Sequence, residues 1–134
     1  MPATVLVVDD DTDARELVRT YLAFAGFESI PAAHGGEGLD ALREHRPCLI
    51  VLDLNMPVMS GWEFRARQKQ LPDRRLADTP VVIVSALPDC AEQAKQLGAA
   101  EAICKPLDLD DLVHAVRYHC GRRLPAGAKT TGSG

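Results

Sequence analysis

The sequence predicts an α/β fold in which a parallel sheet is covered by helices on both faces. Short apolar runs rich in β-branched residues recur along the chain, as is typical of strands buried on both sides. A stretch with helical character follows each run, so that strand and helix alternate five times. Because crossovers between parallel strands are right-handed, few arrangements of such a chain are possible.

The individual elements follow from hydrophobic periodicity and from helix-capping residues. Strands are expected at five apolar runs, namely 4–8, 28–32, 48–52, 81–84 and 102–104. Helices are predicted at 12–25, 35–44, 60–70, 89–97 and 109–120. The second strand is the least apolar and is expected at an edge of the sheet. Thr12 is the predicted cap of the first helix, Asp11 is interpreted as a solvated loop acid, and 72–79 is predicted to be a loop.

Composition narrows the class of protein. The chain has 134 residues, of which 46% are apolar and 25% charged, as in an ordinary soluble domain. We expect one domain over residues 1–121 and a disordered tail over 122–134. The net charge of −4 argues against a nucleic-acid partner. No apolar run has the length of a membrane span and no signal-peptide pattern opens the chain, so we expect a cytoplasmic protein without membrane insertion.

The four cysteines form no C-x-x-C pair, and with no export signal they are predicted to be reduced, mostly buried thiols. Zinc is a weak alternative because the spacing is wrong and the histidines do not cluster by motif. The cysteines are Cys48, Cys90, Cys104 and Cys120.

Five polar residues stand where apolar strands end: Asp9, Asp10, Asp53, Ser85 and Lys105. The carboxyl ends of parallel strands share one edge, so these side chains are expected to converge. Three carboxylates so close would repel one another, and a divalent cation such as Mg²⁺ or Mn²⁺ would resolve the repulsion. Lys105 and Ser85 would add a cation and a hydroxyl donor suited to a phosphoryl group. Taken singly, Ser85 could instead satisfy a strand-end backbone group, and Lys105 could be a counter-ion for the acids.

The order and spacing of four segments carry a family resemblance over residues 4–120: VLVVDDD, LIVLDLNMPVMSG, VVIVSA and ICKPL. Together they resemble the receiver domain of response regulators in two-component, or His-Asp phosphorelay, signalling. Within that family, the chain resembles a single-domain, chemotaxis-type regulator. The resemblance implies a flavodoxin-like, doubly wound five-stranded sheet of order 2-1-3-4-5.

The resemblance also implies roles for the site residues. Asp53 resembles the phospho-accepting aspartate, and Lys105 the lysine that pairs with the phosphoryl oxygens. Asp10 resembles a direct Mg²⁺ ligand, and Asp9 a ligand that acts mainly through water. The backbone carbonyl of Asn55 resembles the remaining protein ligand, beside the carboxylate of Asp53.

The expected switch region comprises Ser85, Ala86, Leu87, Ala102 and Pro106. Ser85 resembles the family's switch hydroxyl, and the peptide bond before Pro106 resembles its cis bond. Ala102 is a departure, because many receivers carry at this position a Tyr or Phe whose ring rotates on activation. The usual aromatic readout therefore cannot be assumed.

The implied function is that of a phosphoprotein regulator, and not of an enzyme that turns over a substrate. A sensor histidine kinase, a histidine phosphotransfer protein or a small phosphodonor would supply the phosphoryl group. The regulator would catalyse its own phosphorylation and dephosphorylation. Phosphorylation would switch the surface of the fourth helix, fifth strand and fifth helix for binding a downstream protein target.

Two rival functions would make different demands on the sequence. A haloacid-dehalogenase-type phosphatase would carry a second Asp two residues after the nucleophile, where this chain has Asn55. Steady turnover of a phosphate ester would identify it. A flavin-binding module would need a loop rich in Ser, Thr and Gly after the first strand, where this chain has three aspartates. A colourless purified protein would exclude it.

Overall fold

A computed structural model describes residues 4–54, 59–86, 88–104 and 108–121 of the chain. Five parallel strands form a single sheet of order β2-β1-β3-β4-β5. The predicted fold class and strand order are thereby confirmed. The tail expected at 122–134 lies outside the described residues.

The strand bounds agree closely with the prediction because each strand is a compact apolar run. The strands are β1 (Thr4–Val8), β2 (Glu28–Ala32), β3 (Leu49–Asp53), β4 (Val81–Ser85) and β5 (Glu101–Cys104). β2 lies at one edge, as predicted, and contains Pro31. β5 forms the other edge and is four residues long.

Six helices lie within the described ranges: α1 (Thr12–Phe24), α2 (Gly35–His45), α3 (Gly61–Lys69), α4 (Arg74–Ala77), α5 (Cys90–Leu97) and α6 (Leu109–Gly121).

Two local predictions were wrong. The side chain of Asp11, and not that of Thr12, caps α1, because it accepts hydrogen bonds from the backbone N–H groups of Asp13 and Ala14. The predicted loop 72–79 contains the single-turn helix α4, which Asp73 caps by accepting a hydrogen bond from the Arg75 N–H at 2.9 Å.

Alternate residues of β1, β3 and β4 supply two cores, one on each face of the sheet. Leu6 and Ile50 belong to the core that packs against α2, α3 and α5. Val7 and Val51 belong to the core beneath α1 and α6. The two faces therefore carry different helices, and the carboxyl ends of the strands are left at one edge between them.

The prediction of reduced cysteines is contradicted, because the four residues form two disulfides. Cys48, just before β3, pairs with Cys120 in the last turn of α6, and the Cα atoms are 5.3 Å apart. Cys90, the first residue of α5, pairs with Cys104, the last residue of β5, at a Cα distance of 5.7 Å. Both distances lie in the normal range for a disulfide. Tertiary packing creates these pairs, so no spacing in the sequence indicates them.

Among the described helices, none combines the length and the apolarity that crossing a membrane requires.

Candidate functional site

Three carboxylates meet at the carboxyl edge of the sheet. One oxygen each of Asp9, Asp10 and Asp53 lies within 4.8 Å of the others. Asp9 is 7% exposed and Asp53 is 8% exposed, whereas Asp10 faces solvent. The sheet register explains the convergence, because Val8 lies opposite Leu52 in the parallel pair β1–β3 and the next residues are the two buried aspartates.

The backbone around Asp9 is fixed on several sides. Its N–H donates to the carbonyl of Ala32 at 3.1 Å. Its carboxylate Oδ1 accepts a hydrogen bond from the Asp11 N–H at 2.9 Å. Its carbonyl accepts one from Nη1 of Arg15 at 2.8 Å. The orientation of Asp9 is therefore set before any cation binds.

Arg15 is a site residue that the sequence reasoning missed. The side chain is mostly buried in the first turn and a half of α1, and it brings a positive charge to the loop that carries Asp9 and Asp10. A basic residue soon after a run of three aspartates was the available signal. Because such residues also occur on solvated helix faces, the signal was weak.

The start of α3 lies directly against the end of β3. The Gly61 N–H donates to the carbonyl of Leu54 at 3.1 Å. A Cβ atom added at Gly61 would lie 2.8 Å from the Asp53 carbonyl oxygen and 2.8 Å from Leu54 Cα. Only glycine allows this approach without displacement of the backbone that carries Asp53. Ser60 caps α3, because its hydroxyl accepts a hydrogen bond from the Glu63 N–H.

Ser85 ends the neighbouring strand and is fully buried. Asp53 lies opposite Val84 in the register of β3 and β4, so Ser85 lies one position further toward the carboxyl edge. On its other side, Ser85 lies opposite Cys104 of β5. Ala86 follows in an exposed position. The hydroxyl is thus on the same edge of the sheet as the aspartates.

Ala102 lies in β5, half-buried, and packs against the core beneath α2, α3 and α5. Four other residues expected at the site lie outside the described ranges, namely Asn55, Leu87, Lys105 and Pro106.

The donor set fits a hard divalent cation. All three side chains offer carboxylate oxygens, the ligand type that Mg²⁺ and Mn²⁺ prefer. Asp10 faces solvent, so water can complete an octahedral shell. Two of the acids are nearly buried, and burying like charges together is costly unless a cation balances them.

Comparison with known proteins gives one family. The model of the response regulator receiver domain matches residues 5–117. The polar-differentiation response regulator DivK of Brucella anthropi is 32% identical over 123 residues, which cover 90% of this chain and 98% of that protein. Response regulator MprA of a Mycobacterium species is 34% identical, with 93% of this chain matched, but the chain spans only 54% of its length.

Solved structures give the same family as the sequence comparisons. The chemotaxis protein CheY4 of Vibrio cholerae is 32% identical and superimposes with a TM-score of 0.77, covering 89% of this chain and 99% of that one.

Proposed function

Because the chain belongs to the response regulator receiver family, we propose that Asp53 accepts a phosphoryl group and that the modified site switches a protein-binding surface. The convergence of Asp9, Asp10 and Asp53 at one edge of the sheet is the observation that carries the proposal. Asp53 is the assigned nucleophile because it ends the central strand β3, and the other two acids follow directly after the neighbouring strand β1.

We assign the cation site to the carboxylates of Asp9, Asp10 and Asp53 and to the backbone carbonyl of Asn55. Mg²⁺ is the proposed ion, and Mn²⁺ would satisfy the same ligands. When bound, the cation neutralises the charge that builds up on the phosphoryl oxygens.

The transfer itself needs little covalent chemistry from the protein. A carboxylate oxygen of Asp53 attacks the phosphorus of a phosphohistidine, an O–P bond forms, and the N–P bond breaks with its electron pair left on the histidine. Lys105 is assigned to pair with the phosphoryl oxygens, so that catalysis is positioning plus electrostatics. Hydrolysis by water returns Asp53 to a carboxylate.

Ser85 is the proposed detector of the modified state. Its hydroxyl can donate a hydrogen bond to a phosphoryl group that is present only after transfer, so the contact biases a two-state equilibrium. Ala102 has no ring to follow that movement. The signal is therefore assigned to the backbone from Ser85 to Cys90 and to α5, and it is expected to reach the outer face of β5 less strongly.

The proposed donors are a sensor histidine kinase, a histidine phosphotransfer protein or a small phosphodonor. The proposed output is a protein target that binds the surface of α5, β5 and α6. A protein with this function is a regulator that is modified once per cycle, and its site is not built to turn over a separate substrate.

Substitution of the nucleophile tests the proposal. The Asp53→Asn variant should fold normally and should lose labelling by acetyl phosphate with Mg²⁺, because an amide is not a comparable nucleophile. Intact-mass spectrometry would count the phosphoryl groups. The Asp11→Asn variant is a matched control, since Asp11 is exposed and Asn also caps helices, and it should label like the parent chain. Undiminished labelling of Asp53→Asn would refute the assignment.

A further inference from the structure

We propose that Cys90 and Cys104 form a reversible redox site that controls how far the phosphorylation signal travels into α5. The inference rests on the proposed function, because it concerns the readout of the same site. The first observation that supports it is the position of the two cysteines. Cys104 lies opposite Ser85 in the sheet, and Cys90 begins the helix that follows the Ser85 strand. The disulfide therefore closes the segment that is assigned to carry the signal.

The two ends of α5 are held in different ways. At the C-terminal end, Arg65 of α3 donates from Nε to the carbonyl of Leu97 at 3.1 Å and from Nη2 to that of Gly98 at 3.0 Å. At the N-terminal end, Asp89 occupies the cap position, but its side chain makes no capping hydrogen bond. It accepts one from Gln93 Nε2 instead, at 2.7 Å. The covalent bond from Cys90 to β5 is thus the strong restraint at that end.

Arg65 is a stable anchor. It is 8% exposed, and burial lowers the pKa of its guanidinium while the charge of Asp78 partly offsets that effect. Its Nη1 donates to Gln68 Oε1 at 2.6 Å, and Gln68 donates in turn to two buried carbonyls. At the other end, the first turn of α5 is held by the Cys90–Cys104 bond and by one hydrogen bond from Trp62 to Gln93, so it can move more freely when the disulfide opens.

The other disulfide, between Cys48 and Cys120, is less accessible to solvent. Cys48 and Cys120 are 9% and 1% exposed and lie near the amino ends of the strands, away from the acidic site. Cys104, by contrast, is exposed. Attack by an external thiol requires access to a sulfur, so the Cys90–Cys104 bond should be reduced first.

Formation of the Cys90–Cys104 bond is a two-electron oxidation, and the proposed oxidant is a small disulfide such as oxidised glutathione. The Cys104 thiolate attacks one glutathione sulfur and releases one glutathione thiolate. The Cys90 thiolate then attacks the Cys104 sulfur, forms the intramolecular bond and releases the second glutathione thiolate. The two protons lost by the cysteines are taken up by the two glutathiones. Reduction runs through the same steps in reverse.

The expected consequence is a change in readout without a change in phosphorylation chemistry. In the disulfide form, Cys90 is held beside Cys104, and the bond limits how far engagement of Ser85 displaces the start of α5. In the dithiol form, the first turn of α5 is free to follow the segment after β4.

The experiment records amide NMR spectra of the full chain in both redox states, with and without Mg²⁺ and beryllofluoride, a phosphoryl mimic. We expect equal shift changes next to Asp53 in the two states, and changes over 91–97 that are at least halved by oxidation. The Cys104→Ser variant should behave like the reduced chain under both conditions. Equal changes over 91–97 in the two states would overturn the proposal.

Two further measurements test the redox site independently of the proposed function. Mass mapping during stepwise reduction should show the Cys90–Cys104 bond opening before Cys48–Cys120, and the opposite order would overturn the proposal. Without any phosphoryl mimic, hydrogen exchange of the amides 91–97 should be slower in the disulfide form, and equal exchange would overturn it. If the mimic causes no shift near Asp53 in either state, the proposed function fails, while these two measurements still decide the redox site.

Discussion

The indole Nε1 of Trp62 donates a hydrogen bond to Oε1 of Gln93, with 3.1 Å between the two atoms. This bond connects α3, whose start lies against Asp53, to α5, which follows the Ser85 strand. Trp62 is 37% exposed and is the single tryptophan of the chain, so its fluorescence reports on one place in the molecule.

We predict that beryllofluoride with Mg²⁺ changes the emission of Trp62 in the dithiol form of the chain, and that Gln93→Ala removes most of this change. The physical reason is that movement of α5 alters the environment of the indole through its hydrogen-bond partner. The matched control is Gln70→Ala, which alters an exposed glutamine at the other end of α3 and should leave the response intact. The same response in Gln93→Ala and in the parent chain would show that α5 does not transmit the signal to Trp62.

Removal of one acid from the cation site should affect Mg²⁺ binding and apo stability in opposite directions. Asp10→Ala should weaken Mg²⁺ binding, measured by titration. Because one of three mutually repelling carboxylates is gone, the cation-free protein should become more stable, by less than about 1 kcal/mol since Asp10 is exposed. Thermal unfolding in a chelator measures the second effect. Normal Mg²⁺ affinity in Asp10→Ala would remove this residue from the ligand set.

Gln68 should be among the residues least tolerant of substitution outside the site. It is fully buried and donates to the carbonyls of Leu76 at 2.9 Å and Thr79 at 3.0 Å, besides accepting from Arg65. Gln68→Leu leaves these groups unsatisfied in the interior, so the free energy of unfolding should fall by about 3 kcal/mol. Urea unfolding measures it, with the exposed Gln70→Leu as a control that should change little. A loss smaller than about 1 kcal/mol would contradict the network.

Arg46 offers a test of backbone strain. It ends α2 in the left-handed region at a φ of 48°, and Nη1 pairs with Asp73 Oδ2 at 2.9 Å. Arg46→Gly and Arg46→Ala both remove the ion pair, but only glycine adopts this conformation without cost. The glycine variant should therefore be more stable than the alanine variant by about 1 kcal/mol. Thermal unfolding of the two variants gives the difference, and a more stable alanine variant would contradict the assigned strain.

The sequence predicted the sheet well because each strand is a compact apolar run, as in Leu49–Asp53. It also indicated which acids would meet, since Asp9 and Asp53 follow directly from the ends of adjacent parallel strands. Helix periodicity was less decisive. Leu17 and Tyr21 of α1 fall at apolar spacing but are 48% and 40% exposed, because the face that packs on the sheet is narrower than the apolar stripe.

The remaining features depend on tertiary contacts that leave little mark on the sequence. The disulfide from Cys90 to Cys104 arises because α5 starts beside the end of β5. The helix α4 was not predicted because it lies in a polar stretch with no extended apolar pattern. Asp73 nevertheless caps it, and the side chain of Leu76 is buried. The close approach of Gly61 to the backbone of Asp53 likewise follows from tertiary packing, which no local sequence pattern indicates.

Both edges of the sheet are poor templates for intermolecular pairing. Pro31 lies in the edge strand β2 and has no N–H to offer, and the opposite edge strand β5 is only four residues long. An incoming strand from another molecule would therefore find few unpaired donors in a continuous row. The fold should resist ordered aggregation even when high protein concentrations are used, and association between copies would have to use helix surfaces instead of extending the sheet.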